Sequence, residues 1–310
     1  MRHPVNRHCP LTDRPAARVL AYASAAAVAR GNPTYRGGYA DILGISPDDE
    51  FPFVEGPTGF VYSGWLPPDD FLERVYEKVI DHAKTVTTTL AYRQVLLEFG
   101  GAFLQLAIDK GSAPPLRLLD YGCGYGALLQ ILSSRDIVSL GYEPSSERGQ
   151  FTTAERRFQI LNRPEQLADA GPFDLIVCTE VLEHVSDPRS VLRTFRRLAA
   201  PGALLAITVP QCEPAAVVDG FATLARERKL PIVFNPWEHL NYFSSADLSR
   251  LLAEEGFGIV RDYGAGHSFR QLAKHVGEPT SLMGRALRAA RLFRRALRSP
   301  HSTQLFCRAS

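Results

Sequence analysis

Cysteine is scarce in this chain and poorly spaced for cross-links: Cys9, Cys123, Cys178, Cys212 and Cys307 are odd in number and scattered along 310 residues. Such a set excludes a disulfide framework and fits a reducing compartment, so a cytoplasmic location is expected. Excess charge is missing too. A formal net charge of +2 gives no global field demanding nucleic acid or an anionic membrane. No run approaches the ~20 apolar residues that a membrane-spanning helix needs. Residues 19–29, VLAYASAAAVA, imitate a secretory leader. The run is short and Ala-dominated, and Pro4, Pro10, Asp13 and Pro15 precede it, so export is not expected. What remains is a chain of 45% hydrophobic content, enough for one α/β domain of about 100 to 250 residues plus additions.

The most informative stretch is LRLLDYGCGYGALL, residues 116–129. Leu116, Leu118 and Leu119 make a short apolar run suited to a buried parallel strand, and Ala127, Leu128, Leu129, Ile131 and Leu132 continue as a helix face. Gly122, Gly124 and Gly126 occupy the bend between them. Without a Cβ they accept positive φ and let a ligand lie against the backbone at the carboxyl end of the strand. Gly122, Gly124 and Ala127 also satisfy the dinucleotide pattern G-x-G-x-x-G/A, so the turn alone leaves the cofactor open. A second strand, Ile137 to Tyr142, ends in Glu143, whose carboxylate is placed to accept both hydroxyls of an adenosine ribose.

The DxGxGxG form, the strand-terminal acid and PFDLIVCTEVLEHVSDPRSVLRTFRRLAAPGALLAITVP (residues 172–210) together resemble class I S-adenosylmethionine-dependent methyltransferases. The resemblance implies an α/β, Rossmann-like fold: a seven-stranded, mainly parallel sheet with an antiparallel last strand, here with an N-terminal extension. It implies S-adenosyl-L-methionine as cofactor and an enzyme that transfers a methyl group to a hydroxyl of a small metabolite, sugar or quinone-like acceptor. Alternatives are RNA ribose 2'-O-methylation, a non-catalytic cofactor-binding module, and an NAD-dependent dehydrogenase. By the same resemblance Asp120, Gly122, Gly124, Gly126, Glu143, Cys178 and Thr179 bind the cofactor, and Asn162 and Arg163 fall where adenine is usually contacted.

The alternating pattern predicts strands at Leu116 to Asp120, Ile137 to Tyr142, Phe158 to Leu161, Asp174 to Cys178 and Ala203 to Val209. Strands at Gly258 to Tyr263 and Thr303 to Arg308 close the sheet. Helices are expected over Thr87 to Asp109, after the glycine bend to about Ser133, from about Ser145, from Pro188 to about Ala199 and from Ser245 to the stop at Gly256. Asp187-Pro188 reads as cap and first turn, with Val191, Leu192, Phe195 and Leu198 at helical spacing. The expected organisation is an irregular N-terminal cap or docking region (1–85), a helix and linker (86–115), the methyltransferase core (116–275), and a basic helix with the final strand (276–310).

Glu180, Glu183 and His184 follow the strand ending at Cys178, and one helical turn would put all three on one face. His239, in WEHLNYF, is a fourth candidate. Two carboxylates and two imidazoles suit a divalent cation, borderline between Mg²⁺ or Mn²⁺ and Zn²⁺. This E-x-x-E-H with a later His resembles the metal site of small-RNA 2'-O-methyltransferases, and E-x-x-E-H also occurs in O-methyltransferases of ubiquinone biosynthesis. That resemblance implies an acceptor with neighbouring hydroxyls. His184 and His239 are the candidate bases, with Glu180 and Glu183 as ligands or orienters.

The N-terminal region resembles a worn zinc-binding module of some sugar-modifying methyltransferases, through GFVYSGWLPPDDFLERVY at 59–76. Cys9 is followed three places later by Thr12 and no second Cys-x-x-Cys exists, so no thiolate zinc site is expected. At the other end, SLMGRALRAARLFRRALRS (281–299) sets Arg285, Arg288, Arg291, Arg295 and Arg298 at helical intervals. A cover helix with a solvated Arg face is expected; contact with RNA, a membrane surface or a phosphorylated acceptor is the sharper alternative.

Overall fold

The computed structural model describes residues 1–85, 93–112, 114–134, 136–145, 158–260 and 302–309. The chain partitions into two compact units. One comprises Met1–Thr85, Glu180–Leu192 and Val209–Leu251; the other comprises Val86–Thr179, Arg193–Thr208 and Leu252–Ser310.

The first unit is not the irregular region that its Pro, Gly and Tyr content suggests. Strands β1 (Arg18–Ser24), β2 (Glu50–Glu55) and β3 (Val61–Ser63) form an antiparallel sheet in the order β1-β2-β3-β9, the last strand being Asn241–Tyr242. Helices α1 (Ala25–Gly31), α2 (Tyr39–Leu43) and α3 (Asp69–Arg74) accompany it, followed by a π-helical turn at Val75–Val79. Two features hid this from the sequence. Phe51, Pro52, Phe53 and Val54 of β2 are all buried, so no period of two appears, and the partner of β3 lies far downstream in the chain. The leader-like run is consumed by β1 and α1, with Ser24 capping α1 through Ala27 N. Aromatic side chains dominate the core, where Phe51, Phe53, Trp65, Phe71, Phe234, Trp237 and Tyr242 pack together. Each such ring removes on the order of 150–250 Å² from water.

The second unit is the expected α/β layer. Strands β4 (Leu116–Tyr121), β5 (Ile137–Tyr142), β6 (Gln159–Leu161), β7 (Phe173–Thr179) and β8 (Ala199–Pro210) pair in parallel. With β10 (Phe257–Ile259) and β11 (Ser302–Ala309) they make a seven-stranded sheet in the order β10-β11-β8-β7-β4-β5-β6. β11 runs antiparallel to β10. Leu118, Leu119, Leu175, Val177, Leu204 and Ala206 are buried at the sheet centre, as a sheet covered on both faces requires. Helix α4 (Arg93–Asp109) packs against α5 (Ala127–Leu132), and α6 (Pro164–Ala168) follows β6. The expected start of α4 from Thr87, the helix from Ser145, the end of the strand toward Tyr263 and the Arg-rich segment 281–299 fall wholly or partly outside the described residues.

Helix α7 (Pro188–Leu198) starts as its sequence dictates: Asp187 Oδ1 accepts a hydrogen bond from Ser190 N at 3.1 Å, and Val191, Leu192, Phe195 and Leu198 are buried. Helix α8 (Pro214–Glu227) and helix α9 (Ser245–Glu254) complete the set, and α9 is followed by Gly256 at φ +81°. One boundary differs from expectation. The 116–275 core is not one unit, because 180–192 and 209–251 belong with the N-terminal segment.

Candidate functional site

In the second unit the glycine bend leaves β4 at Gly122 (φ +77°), Gly124 (+53°) and Gly126 (+71°). A side chain at such angles costs roughly 1–2 kcal/mol per residue, so glycine is the physical requirement of this turn. Gly122 N and Cys123 N bond to Tyr142 O at 2.7 and 3.1 Å, tying the bend to the end of β5. Glu143 closes the same knot. Its carboxylate accepts from Gly124 N and Ser145 N, both at 2.9 Å, while remaining 5% exposed. A Cβ at Gly124 would meet nothing within 4 Å, so the bend faces open space.

Asp120, two residues before the bend, is buried, and its Oδ1 has no hydrogen-bond partner among the described residues. Burial, and then the charge of Glu143, push its carboxyl up to about 7. Thr179 is half-buried at the end of β7, whereas the Cys178 side chain is fully buried there. Asn162 and Arg163 follow β6, and the N–H groups of both donate to Gln166 Oε1.

The second constellation lies in the first unit. Residues 180–184 do not form the expected helical turn. Glu180 sits at φ +53°, outside the helical region, and the chain then makes a tight turn with His184 N bonded to Val181 O at 2.9 Å. The turn's carbonyls go elsewhere: Glu183 O accepts from Leu240 N and Asn241 N at 2.6 and 3.0 Å. Despite this different backbone, Glu183, His184 and His239 converge, each offering a ligand atom within 4.8 Å of the others. Glu180 is not in that group; it acts electrostatically on Glu183.

Two imidazoles meet edge to face with ring centroids 4.7 Å apart. His239 Nδ1 lies 2.9 Å from Val233 O, and His184 Nδ1 lies 3.0 Å from Glu238 O and 2.9 Å from Tyr76 Oη. A carbonyl only accepts, so both Nδ1 atoms carry a proton, and in the neutral form of either ring the lone pair lies on Nε2. His239 is lowered from its ordinary pKa by burial, against the opposing pull of Glu238 and the Val233 carbonyl, which favours the neutral base. Glu183 is 1% exposed, and among the described residues neither of its oxygens has a partner of ordinary hydrogen-bond geometry, with Glu180 interacting beside it. His184 Nε2 stands 3.6 Å from Oε1. Burial, and next the Glu180 charge, raise Glu183 well above the carboxylate range.

Three contributors escaped the sequence reading. Tyr76 lies in the π-helical turn, a feature frequent at functional sites. Glu238, flanking His239, supplies the carbonyl for His184, and its carboxylate is held by Tyr35, Asn235 and Asn32. Asn241 donates to Leu182 O and Val185 O. For Glu238 and Asn241 the sequence signal was their place within WEHLNYF beside His239, and for Tyr76 its place at the end of the segment 59–76.

Residues 84–261, more than half of the chain, match the family model described as a methyltransferase domain. Among curated relatives, a ubiquinone biosynthesis O-methyltransferase of Caulobacter sp. (strain K31) is 42% identical over 105 residues, covering 30% of this chain and 40% of the relative. One of the same name from Rhizobium rhizogenes (strain K84) is 31% identical over 172 residues, covering 52% of this chain and 68% of that one. The match thus spans from two fifths to about two thirds of these relatives' length. Among solved structures, the plantazolicin methyltransferase in complex with SAH is similar with a TM-score of 0.55 at 12% identity, covering 77% of this chain and 94% of that one. At that identity the likeness is one of fold, and it agrees with the strand order found here. By family match and sheet topology together, the chain belongs to the methyltransferase-domain family as a class I S-adenosylmethionine-dependent methyltransferase.

Proposed function

We propose that the chain transfers the methyl group of S-adenosylmethionine to a hydroxyl oxygen of a small acceptor, of the metabolite, sugar or quinone-like class. One observation carries this reading. Two imidazoles whose Nδ1 protons are tied to backbone carbonyls and a buried carboxyl converge on one point, in the segment that follows β7. The name shared by the curated relatives, an O-methyltransferase, supports oxygen as the methylated atom.

The cofactor's charges fit the second unit. A ligand with an ammonium group would compensate Asp120, whose Oδ1 has no hydrogen-bond partner among the described residues and whose carboxyl is raised by burial and by Glu143. Glu143, anchored by two backbone donors, retains lone pairs for the ribose hydroxyls. The open side of Gly124 admits the ligand backbone-close. In this reading Gly122 and Gly126 shape the bend and Thr179 contacts the cofactor beside it. The Cys178 side chain contributes packing.

Methyl transfer from a sulfonium is an in-line displacement, in which the protein positions the acceptor oxygen and takes its proton. His239 is the favoured base, with its Nδ1 proton fixed on Val233 O and its pKa lowered. His184 is oriented the same way by Glu238 and Tyr76. General-base assistance of this kind contributes typically about 10²- to 10⁴-fold.

The same residues fit a divalent cation. Glu183, His184 and His239 provide one carboxylate and two imidazoles whose Nδ1–H groups are tied to carbonyls, the outer-shell pattern of metal-binding histidines, with Glu180 as a further oxygen donor nearby. When bound, such a cation supplies Lewis-acid acidification of the acceptor hydroxyl.

Incubating the protein and its His239→Ala variant with methyl-labelled S-adenosylmethionine and catechol or sugar acceptors tests the reading. Label on oxygen with the wild type and none with the variant is expected; equal labelling by both removes His239 from the mechanism.

A further inference from the structure

Arg7 is 7% exposed, and its three hydrogen-bond acceptors among the described residues are all neutral oxygens. Nη1 donates to Leu240 O at 2.7 Å, and Nη2 donates to Ser186 O at 2.7 Å and Asn241 Oδ1 at 2.8 Å. Its guanidinium carbon lies 5.6 Å from the centroid of the Tyr62 ring. Among the described residues no carboxylate hydrogen-bonds Arg7, and Asp187 acts on it only electrostatically; desolvating a guanidinium on such terms costs several kcal/mol, and packed apolar residues often serve stability as well or better. Burial lowers its pKa to about 10, still protonated at neutral pH. What an apolar residue cannot supply is the planar fork.

The fork joins two specific places. Ser186 ends the turn that carries Glu183 and His184, while Leu240 and Asn241 directly follow His239. Asn241, fixed through Oδ1 by Arg7, turns its amide to Leu182 O at 2.7 Å and Val185 O at 2.8 Å. Leu240 N and Asn241 N bond in return to Glu183 O. The segment behind Arg7 is itself anchored, Asn6 N to Gly64 O and Arg189 to Leu11 O.

We propose that Arg7 is a positioning residue whose forked guanidinium holds the Glu183–His184 turn against the His239 loop and so sets the geometry of the acceptor site. The inference rests on that reading of the cluster, and through it the N-terminal extension buttresses the site.

The test uses the full chain, cobalt(II) as a spectroscopic probe, hydrogen–deuterium exchange by mass spectrometry, and S-adenosylmethionine calorimetry. Arg7→Met is expected to weaken cobalt binding and its visible bands by about 10- to 100-fold, as loss of outer-shell support does. Exchange in peptides covering 182–186 and 238–242 should quicken about tenfold, the loss of roughly one hydrogen bond's protection. Strands β2 and β3 should keep their protection and cofactor affinity should stay unchanged. Arg7→Lys, a charge without a fork, should resemble Arg7→Met, and it carries the comparison if Arg7→Met does not fold. The proposal is overturned by wild-type exchange and spectra in Arg7→Met, by full rescue in Arg7→Lys, or by exchange rising equally in β2 and β3. If wild-type protein fails to bind cobalt, the cation reading fails alone, and the exchange comparison still decides the role of Arg7.

Discussion

The two units build their sites by opposite means. In the parallel-sheet unit the proposed cofactor crevice is backbone: three glycines at positive φ, two strand ends, and one glutamate whose carboxylate is bonded to main-chain N–H groups, all within residues 120–145. In the N-terminal unit the candidate acceptor site is made of side chains from three distant segments, with Tyr76 on a π-helical turn and the rings of His184 and His239 tied to carbonyls of loop residues. A cofactor shared by a family suits the rigid, local device. An acceptor that differs between family members suits the assembled one, because loops and side chains change without disturbing a sheet.

The sharpest way to break this division is to remove a base from one unit and read binding in the other. His239→Ala or Glu183→Ala should lower turnover by about 10²- to 10⁴-fold while S-adenosylmethionine affinity by calorimetry stays within about twofold. A parallel loss of cofactor affinity would show that the two sites are not separable. Glu180→Ala should also abolish most turnover, since the Glu180 charge adds to burial in raising Glu183; retained activity would confine the chemistry to the other three residues.

Changes on the cofactor side should give the converse result. Glu143→Ala leaves Gly124 N and Ser145 N without their acceptor, and cofactor affinity should drop about 10- to 100-fold at the cost of one to two charge-assisted bonds. Gly126→Val, forced to φ +71°, should weaken binding about tenfold through a strain of roughly 1–2 kcal/mol. Unchanged calorimetric affinity in both variants would refute the assignment of the bend.

A finer comparison uses pH. The Asp120 carboxyl, pushed up to about 7, holds its proton in the ligand-free fold at acidic pH, whereas an unfolded carboxyl ionises near its ordinary value. Its contribution to the ligand-free fold is therefore greatest below that ordinary value and is lost as pH rises toward 7. An ammonium-bearing ligand reverses the sign by favouring the ionised form. S-adenosylhomocysteine affinity should rise severalfold, at most about tenfold, between pH 6 and 8, and Asp120→Asn should flatten that rise. The smallest expected effect is Asp187→Ala, which deletes the cap of α7 and should lower stability by about 1 kcal/mol in denaturant melts without altering cofactor binding.

The parallel sheet was legible because its strands are continuous apolar runs bounded by turn residues. Ile137 to Tyr142 matches residue for residue, and Pro188 starts its helix where Asp187 announced it. The N-terminal sheet was not legible, because β2 is buried on both faces and β9 is two residues long. The E-x-x-E-H segment was half legible. Glu183 and His184 were found with His239, but through a turn with Glu180 in the left-handed region instead of through a helix.

What the sequence by itself determined was everything set by short-range rules: the glycine bend, the strand-terminal acid, the helix caps and the alternation of strand and helix. Each depends on the conformational limits of a residue and its near neighbours. The tertiary structure alone decided which distant groups meet. A buried arginine from position 7 meets Leu240 and Ser186, a tyrosine from a π-helical turn meets His184, and two backbone carbonyls meet the Nδ1 atoms of His184 and His239. No local preference encodes those contacts, because their energy exists only once the chain has brought the partners together and excluded water.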